Sequence, residues 1–343
     1  MQSFSTRLTV LAFSVACSLG ATAYAAGDWP QFRGPTGQGI VFGDAPLTWS
    51  ETDGVLWKTS LPGEAWSSPV VLGDQIWLTT AIVSTASADE AKSKVVGLIP
   101  AKAATLASRV SLRALCVDRR SGELLRDVEL FRPEQIDVIH SLNSYASPTP
   151  VIEAGRLYCH FGTYGNACID TDTVDVLWRR VIPIDHYVGP GSSPLLHGDL
   201  LVLTYDGANE QFITALDKRT GETVWRTDRP PITDTNPDFR KAYSTPIATE
   251  LNGRTQLVIT GAQWIAAYDP ASGGEIWRFD HGHGFSTVPR PVERDGVVYF
   301  ASGFSGEELI ALRPTGEGQL ADADVVWRSR RQAPTQPSPV LVA

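Results

Sequence analysis

The fold of this chain is decided by the stretch Ala215-Leu216-Asp217-Lys218-Arg219-Thr220-Gly221-Glu222-Thr223-Val224-Trp225. It predicts two strand ends joined by a tight turn, because Asp217 can accept hydrogen bonds from turn N–H groups and Gly221 can adopt the left-handed conformation that closes a bulged hairpin. If several sheets stack around an axis, the large flat ring of Trp225 can cover the turn of a neighbouring sheet. Burial of one such indole would supply about 4–6 kcal/mol before entropic costs.

The same pattern recurs along the chain. The copies are Ala267 to Trp277 with Asp269 and Gly273 in the turn, Cys168 to Trp178 with Val174 in the glycine position, Cys116 to Arg126 with arginine in the tryptophan position, and a looser copy from Ala311 to Trp327. We therefore expect Trp178, Trp225, Trp277 and Trp327 to dock successive sheets on one another.

A second recurring piece is a proline, preceded in most copies by Ser or Thr and followed by aliphatic residues. Its copies are centred on Pro69, Pro150, Pro194, Pro246, Pro291 and Pro339. They are separated by 44 to 52 residues from Pro150 onward, and by 81 residues between the first two. A period of roughly 45 residues that holds four short strands is typical of a β-propeller blade.

The composition limits the classes of partner. The 343 residues carry a formal net charge of −9 and a pI near 5.2, so nucleic acids and anionic membrane surfaces are unlikely partners by bulk electrostatics. Ten tryptophans and 30 glycines suit blades and turns, whereas a single methionine and few long apolar runs speak against a helical or membrane bundle. We expect no transmembrane segment.

The first 25 residues resemble a secretory signal peptide. Arg7 precedes an apolar run from Leu8 to Leu19, and Ala23-Tyr24-Ala25 is a small-residue cleavage pattern. We therefore expect an exported protein, periplasmic or extracellular. Lipid attachment at Cys17 is an alternative, although Ser14 stands where a bulky aliphatic residue is usual.

The docking pattern resembles the tryptophan-docking motif of propellers with repeats of the pyrroloquinoline-quinone (PQQ) type. The opening Asp28-Trp29-Pro30-Gln31-Phe32-Arg33-Gly34-Pro35 and the block Asn143-Ser144-Tyr145-Ala146-Ser147-Pro148-Thr149-Pro150 are similar to secreted PQQ-like repeat proteins of bacteria. The resemblance implies an all-β propeller of four-stranded antiparallel blades. Quinoprotein dehydrogenases and non-catalytic propellers, such as the outer-membrane-assembly lipoprotein, share this repeat.

The repeats divide the chain into a signal peptide at 1–25 and one propeller domain at 26–343. We predict about five complete blades with partial first and last ones, a partly helical surface insertion at 84–109, and an outer strand from Trp49 to Trp57 that completes the last blade. Because Ser338-Pro339-Val340-Leu341-Val342 begins a further repeat, we expect a C-terminally truncated form of a longer chain, whose relatives are eight-bladed.

The segments that precede the inner strands lie on one face around the axis of a propeller, which is the default binding surface. The candidate ligand-binding residues on that face are His140, Asn143, His186, Arg240, Lys241, His283 and Arg290. A polar mouth is also expected of any propeller, with or without a ligand. A metal site at His281-Gly282-His283 lacks a third ligand nearby in sequence.

Several patterns of catalytic sites are absent from the sequence. Quinoprotein dehydrogenases resemble this chain in the docking motif, but they typically add two adjacent cysteines, a calcium site and an aspartate base, and no Cys-Cys pair occurs here. The sequence therefore favours an exported, non-catalytic binding or scaffold module without a cofactor or metal, and the resemblance to the outer-membrane-assembly lipoprotein implies envelope or secreted proteins as its partners. A PQQ- and calcium-dependent dehydrogenase, or a propeller that binds a small sugar or anion, is the alternative.

Overall fold

Antiparallel strands dominate the computed structural model, which describes residues 25, 27–41, 46–87, 89–90 and 104–342. Five sheets of at least four strands follow one another along the chain, and the four main strands of each are ordered in space as they are in sequence. The prediction of an all-β propeller with five complete blades is therefore confirmed.

The first three blades are continuous meanders. Blade one is β1 (Val70–Leu72), β2 (Gln75–Thr85), β3 (Ala107–Asp118) and β4 (Leu124–Phe131). Blade two is β5 (Val151–Glu153), β6 (Arg156–His160), β7 (Asn166–Asp170) and β8 (Val176–Arg180). Blade three is β9 (Leu195–His197), β10 (Leu200–Asp206), β11 (Gln211–Asp217) and β12 (Thr223–Asp228).

The last two blades follow the same plan. Blade four is β13 (Ile247–Leu251), β14 (Arg254–Thr260), β15 (Trp264–Tyr268) and β16 (Glu275–Asp280). Blade five is β17 (Val292–Arg294), β18 (Val297–Ala301), β19 (Leu309–Leu312) and β20 (Val325–Ser329). Outside the main strands, Ala104–Thr105 pairs with Ile139–His140 in a small ribbon.

The hydrophobic core lies between blades. Tyr158 and Cys168 of blade two share one buried cluster with Leu201 and Phe212 of blade three, and three further clusters join the other neighbouring pairs of blades. A middle strand is therefore covered on both faces, and every residue of β15 is buried. Outer strands such as β12 expose most of their side chains to solvent and bury mainly their tryptophan.

Two of the four predicted docking tryptophans, Trp178 and Trp225, bind the turn of the next blade. The Trp178 indole N–H donates to the Lys218 carbonyl at 3.0 Å, and that of Trp225 donates to the Pro270 carbonyl at 2.9 Å. Both acceptors directly follow the aspartate of the repeated pattern. A Cβ added to Gly221 would lie 2.7 Å from the Trp178 ring, so only glycine lets the indole lie flat on the turn.

The repeated aspartate organises the turn that receives the indole. Asp217 Oδ1 accepts hydrogen bonds from the backbone N–H groups of Arg219 and Thr220, and Gly221 closes the turn with φ of +74°. In blade four, hydrogen bonds from the Ser272 hydroxyl and from the backbone N–H groups of Ser272 and Ala271 lower the pKa of Asp269. Val174 adopts φ of +61° at the equivalent glycine position of blade two, where a β-branched residue is strained.

The segment from Trp49 to Trp57 does not form the predicted outer strand. Apart from an isolated bridge between Ser50 and Asp53, it contains no strand, so it completes no blade among the described residues. Its last residue nevertheless acts as a docking tryptophan, because the Trp57 indole donates to the Arg119 carbonyl at 2.9 Å and lies over Gly122. An indole thus lies on the turn of blade one without belonging to a strand.

The looser copy at the fifth blade also differs from the expected docking. Its extra residues form a short strand, Gly318–Gln319, that pairs in parallel with the outer strand of blade four beside Trp277. Trp277 is fully buried and donates to the Gln256 side chain at 2.7 Å within its own blade. Trp327 contacts Tyr299 but stays 42% exposed, so it does not dock on a following turn among the described residues.

Two predicted segments fall partly or wholly outside the described residues. Nearly all of the predicted signal peptide at 1–25, including Cys17, lies there. Within the predicted insertion at 84–109, β2 continues to Thr85 and β3 begins at Ala107, whereas 91–103 lies outside the described part. The structure contains no helix, among the residues it describes, of the length and hydrophobicity that crossing a membrane requires.

A buried polar network crosses the interface between blades two and three. Asn166 donates through its amide to the Tyr205 hydroxyl at 2.8 Å, and its oxygen lies 2.7 Å from His160 Nδ1. His160 therefore carries its proton on Nδ1, and its ring packs edge-on against Tyr205. Burial lowers the pKa of His160 to about 4, so the imidazole is neutral when the protein is folded at neutral pH.

Replacement of a docking indole should cost far more stability than replacement of an exposed one. Trp225→Ala removes a buried ring and its hydrogen bond and should lower the free energy of unfolding by about 3–5 kcal/mol. Trp327→Ala, at the equivalent position of blade five, should cost no more than about 1 kcal/mol. Urea unfolding followed by circular dichroism measures both. Equal losses would contradict the docking role.

The neutral His160 predicts a loss of stability on acidification. The pKa of this imidazole is lowered in the folded state, so the unfolded chain binds more protons between about pH 4 and 6.5, and folding stability falls as the pH drops through that window. The contribution amounts to about 2 kcal/mol at pH 5. His160→Gln removes the titration and keeps an amide that can donate to Asn166.

Urea unfolding of both proteins at pH 7.5 and pH 5.0 separates packing from protonation. The stability difference at pH 7.5 reports the cost of the substitution itself. The advantage of the native protein over His160→Gln should shrink by about 2 kcal/mol at pH 5.0. An unchanged difference would show that His160 is not held neutral.

Candidate functional site

A cavity of about 600 Å³ lies where the chain enters the inner strands of all five blades. Each entrance contributes at least one side chain to its wall: Trp66, Asn143, Tyr187, Tyr243 and Phe285. Because one residue from every blade reaches it, this axial cavity occupies the centre of the array. Its volume lies within the range of ordinary ligand sites.

The axial cavity is floored by an N-terminal segment that no strand prediction included. Trp29 exchanges backbone hydrogen bonds with Val71 of blade one, and the Pro30 carbonyl accepts from Ile152 of blade two. Further along, the Gln38 side chain accepts from the Glu293 N–H of blade five at 2.8 Å. Residues 28–39, here called the axial segment, thus join three blades across the centre, and Phe32 from this segment lines the cavity.

Arg290 belongs to this support and not to the cavity wall. Its side chain is fully buried and donates to the carbonyls of Pro246 and Phe32, the first through two nitrogens at 3.1 and 2.7 Å. Burial, with Arg33 nearby, lowers its pKa to about 9. The structure therefore does not place Arg290 among the lining residues of the axial cavity, because its donors fix the axial segment to blade four.

The recurring Ser/Thr-Pro pieces form a chain of hydrogen bonds between blades. The Ser68 N–H donates to Thr149 Oγ1 at 2.9 Å, the Thr149 N–H to Ser193 Oγ at 3.0 Å, and the Ser193 N–H to Thr245 Oγ1 at 3.0 Å. Thr149, Ser193 and Thr245 also line the axial cavity. The repeat was visible in the sequence, but its role required the spatial order of the blades.

Three of the seven candidate residues meet in the axial cavity, namely His140, Asn143 and Lys241. Asn143 shapes the wall, because its amide nitrogen donates to the Val188 carbonyl at 2.9 Å and its oxygen accepts from Ser144 and Ser147. His140 Nδ1 accepts from the Leu142 N–H at 3.1 Å, which leaves the ring proton on Nε2.

Lys241 is the cation of the axial cavity. Its ammonium donates to the Asp238 carbonyl at 2.7 Å and pairs with the Asp238 carboxylate. It also lies 4.7 Å from the centre of the Tyr187 ring and 5.3 Å from that of Phe285, at cation–π distance. Burial lowers the pKa of Lys241 to about 8.

The remaining candidates lie elsewhere. His186 is buried, accepts from the Thr163 N–H at 3.2 Å, and has a pKa lowered by burial to about 3. Arg240 contacts the Gln211 side chain at 3.4 Å. His283 lines a separate cavity of about 580 Å³ together with Asp280. The structure thus brings three of the seven residues into the lining of the axial cavity and leaves these three, and Arg290, outside it.

The lining of the axial cavity does not fit a quinone held with calcium. Calcium takes six to eight oxygen ligands, among which carboxylates dominate. The one carboxylate among the lining residues that the structure describes is Asp238, which is already paired with Lys241. Within the same part of the chain, no group of three or more His, Cys, Asp or Glu residues is arranged to hold a metal ion.

Comparisons with solved structures place the fold among known propellers. BamB from Moraxella catarrhalis is similar with a TM-score of 0.50 and 14% identity, over 81% of this chain and 80% of that one. The quinohemoprotein alcohol dehydrogenase ADHIIG from Pseudomonas putida HK5 has a TM-score of 0.50 and 13% identity, over 80% of this chain and 43% of the enzyme. The quinohemoprotein alcohol dehydrogenase from Comamonas testosteroni gives 0.50 and 14%, over 84% and 48%.

The chain therefore spans less than half the length of either dehydrogenase. A search of curated protein sequences gave no match. A family model described as outer membrane protein assembly factor BamB matches residues 42–227 and 261–342, which is most of the sequence. Together with the PQQ-like repeats and the five blades, this match shows that the chain belongs to the BamB family of β-propeller proteins.

Proposed function

We propose that this protein is an exported, non-catalytic binding module that holds a partner protein of the cell envelope at the mouth of the axial cavity. The family to which it belongs is described as an outer membrane protein assembly factor, which supports a protein as the partner. The predicted leader at 1–25 supports export. The mouth of the cavity supplies the surface.

The exposed apolar collar around the mouth carries the proposal. Trp66 is 66% exposed and Leu142 75% exposed, and both line the axial cavity. Val288 and Phe304 add two further partly exposed apolar side chains to the same lining. Large apolar groups clustered in water at a cavity mouth are typical of an interaction site, because their burial by a partner releases water from all of them.

A PQQ-dependent dehydrogenase is the second candidate, and the aromatic walls of the axial cavity are the observation that favours it. Tyr187, Tyr243 and Phe285 could stack on a planar ring system. Such an enzyme would also need a general base and calcium ligands near the ring. The pairing of Asp238 with Lys241 removes the nearest carboxylate from both roles.

Site-specific photo-crosslinking tests the binding surface. A benzoylphenylalanine at Trp66 or at Leu142, in the full-length protein exported by a Gram-negative host, should crosslink the same envelope protein. The control position is Val224, which is 51% exposed on the outer strand β12. The proposal predicts crosslinks from the two mouth positions and none from Val224. Equal labelling at all three positions, or none at any, would contradict it.

Addition of PQQ with calcium separates the two candidates. A binding module should show no change in the cofactor absorbance and no rise in melting temperature. A saturable rise in melting temperature, accompanied by dye-linked oxidation of alcohols, would establish the dehydrogenase instead.

A further inference from the structure

We propose that the axial cavity binds the free C-terminal end of an apolar segment of the partner protein, with the terminal carboxylate on its hydroxyl-lined inner wall. This inference rests on the proposed function and names the part of the partner that is recognised. It is carried by the hydrogen-bonding state of the lining residues, by the aromatic walls and by the axial segment that contributes Phe32 to the lining.

Three hydroxyl groups in the cavity have a proton to donate. Thr149, Ser193 and Thr245 each accept a backbone N–H from the preceding blade, which engages one of the two acceptor positions of each oxygen and leaves its O–H proton to donate. No acceptor for their own O–H protons occurs among the residues that the structure describes. Since all three line the cavity, they form an arc of available donors on its inner wall.

His140 and Lys241 add further hydrogen-bond donors to this wall. His140 accepts at Nδ1 and therefore presents an Nε2–H. Lys241 adds an ammonium group, and its pairing with Asp238 balances the charge of the carboxylate in the lining. A group that only accepts hydrogen bonds matches such a wall, and an ionised carboxylate is the acceptor-only group that gains most, because its hydrogen bonds are charge-assisted.

The walls above the arc are apolar. The Tyr243 hydroxyl is tied to the His186 carbonyl at 2.7 Å, so this residue presents mainly its ring to the cavity. Tyr187, Phe285 and Phe304 complete an aromatic wall. An aliphatic or aromatic side chain next to the carboxylate would be buried there, which gives the ligand an apolar body.

The axial segment favours a chain end as the ligand. It is hydrogen-bonded to blades one, two and five and contributes Phe32 to the lining, so it stands in the way of a segment that would run on through the array at this point. A segment that ends in the cavity brings its terminal carboxylate to the inner wall. Trp66 and Leu142 are exposed lining residues and would cover the preceding residues of the same segment.

Fluorescence polarisation with matched peptides tests the inference. The probes are four dansylated tetrapeptides that end in Leu, Phe, Val or Trp, each as the free acid and as the C-terminal amide, with N-acetylphenylalanine as a small-acid competitor. At least one acid should bind about ten-fold tighter than its amide, because charge-assisted hydrogen bonds are lost in the amide. The small acid should compete only weakly.

Three variants locate the carboxylate. Ser193→Ala should reduce the affinity of the acid to that of the amide, while Ser193→Thr, which keeps the hydroxyl, should retain most of the preference. The control is Ser338→Ala: Ser338 accepts the Arg290 N–H at 3.0 Å in the same kind of inter-blade hydrogen bond, but it does not line the axial cavity. This variant should bind like the native protein.

Several outcomes would overturn the inference. These are equal binding of acid and amide, absence of binding by all eight peptides, a small acid that binds as tightly as the peptides, and an unchanged acid preference in Ser193→Ala. If one of these results is obtained while position 66 still crosslinks a partner, the protein-binding function stands and only the chain-end site is contradicted. Peptide binding without crosslinks would contradict the envelope partner alone.

Discussion

The contact between a flat indole and a glycine turn joins blade two to blade three and blade three to blade four. Each blade is a small meander whose middle strands are apolar on both faces, and such a sheet is not stable alone. The indole of one outer strand lies on the turn of the next blade, where glycine leaves room and a carbonyl accepts the indole proton. The spacing of this contact sets the order of the blades, and hence which loops meet at the centre.

The axial cavity is a consequence of that order. Once the blades fan around an axis, Thr149, Ser193 and Thr245 link neighbouring inner strands, and their hydroxyls face a common space. The axial segment is attached beneath this space by hydrogen bonds to blades one, two and five and contributes Phe32 to the lining. The tryptophan-turn pattern, the axial segment and the Ser/Thr-Pro pieces are separate features of the sequence. They come together only in the folded chain.

The blades could be predicted from sequence because most repeats carry the turn and the tryptophan, even though blade one has Arg126 and blade two has Val174 at these positions. The candidate site could be predicted only in part. His140, Asn143 and Lys241 meet because they precede inner strands, but His186 precedes one too and is turned away into the interface with blade two. Arg290 occupies the Ser/Thr position before its proline, and only the presence of the axial segment explains why an arginine is buried there. Contacts between segments that are distant in sequence determine where the His186 and Arg290 side chains lie. A periodic sequence pattern contains no information on such contacts.

Hydrogen exchange of the indole N–H groups, observed by nuclear magnetic resonance and assigned with single tryptophan substitutions, tests the docking contact most directly. The indole protons of Trp178 and Trp225 are hydrogen-bonded to carbonyls of the next blade, so they should exchange orders of magnitude more slowly than the indole proton of Trp327. Exchange of all three at the rate of an exposed indole would show that the blades are not held together in this way.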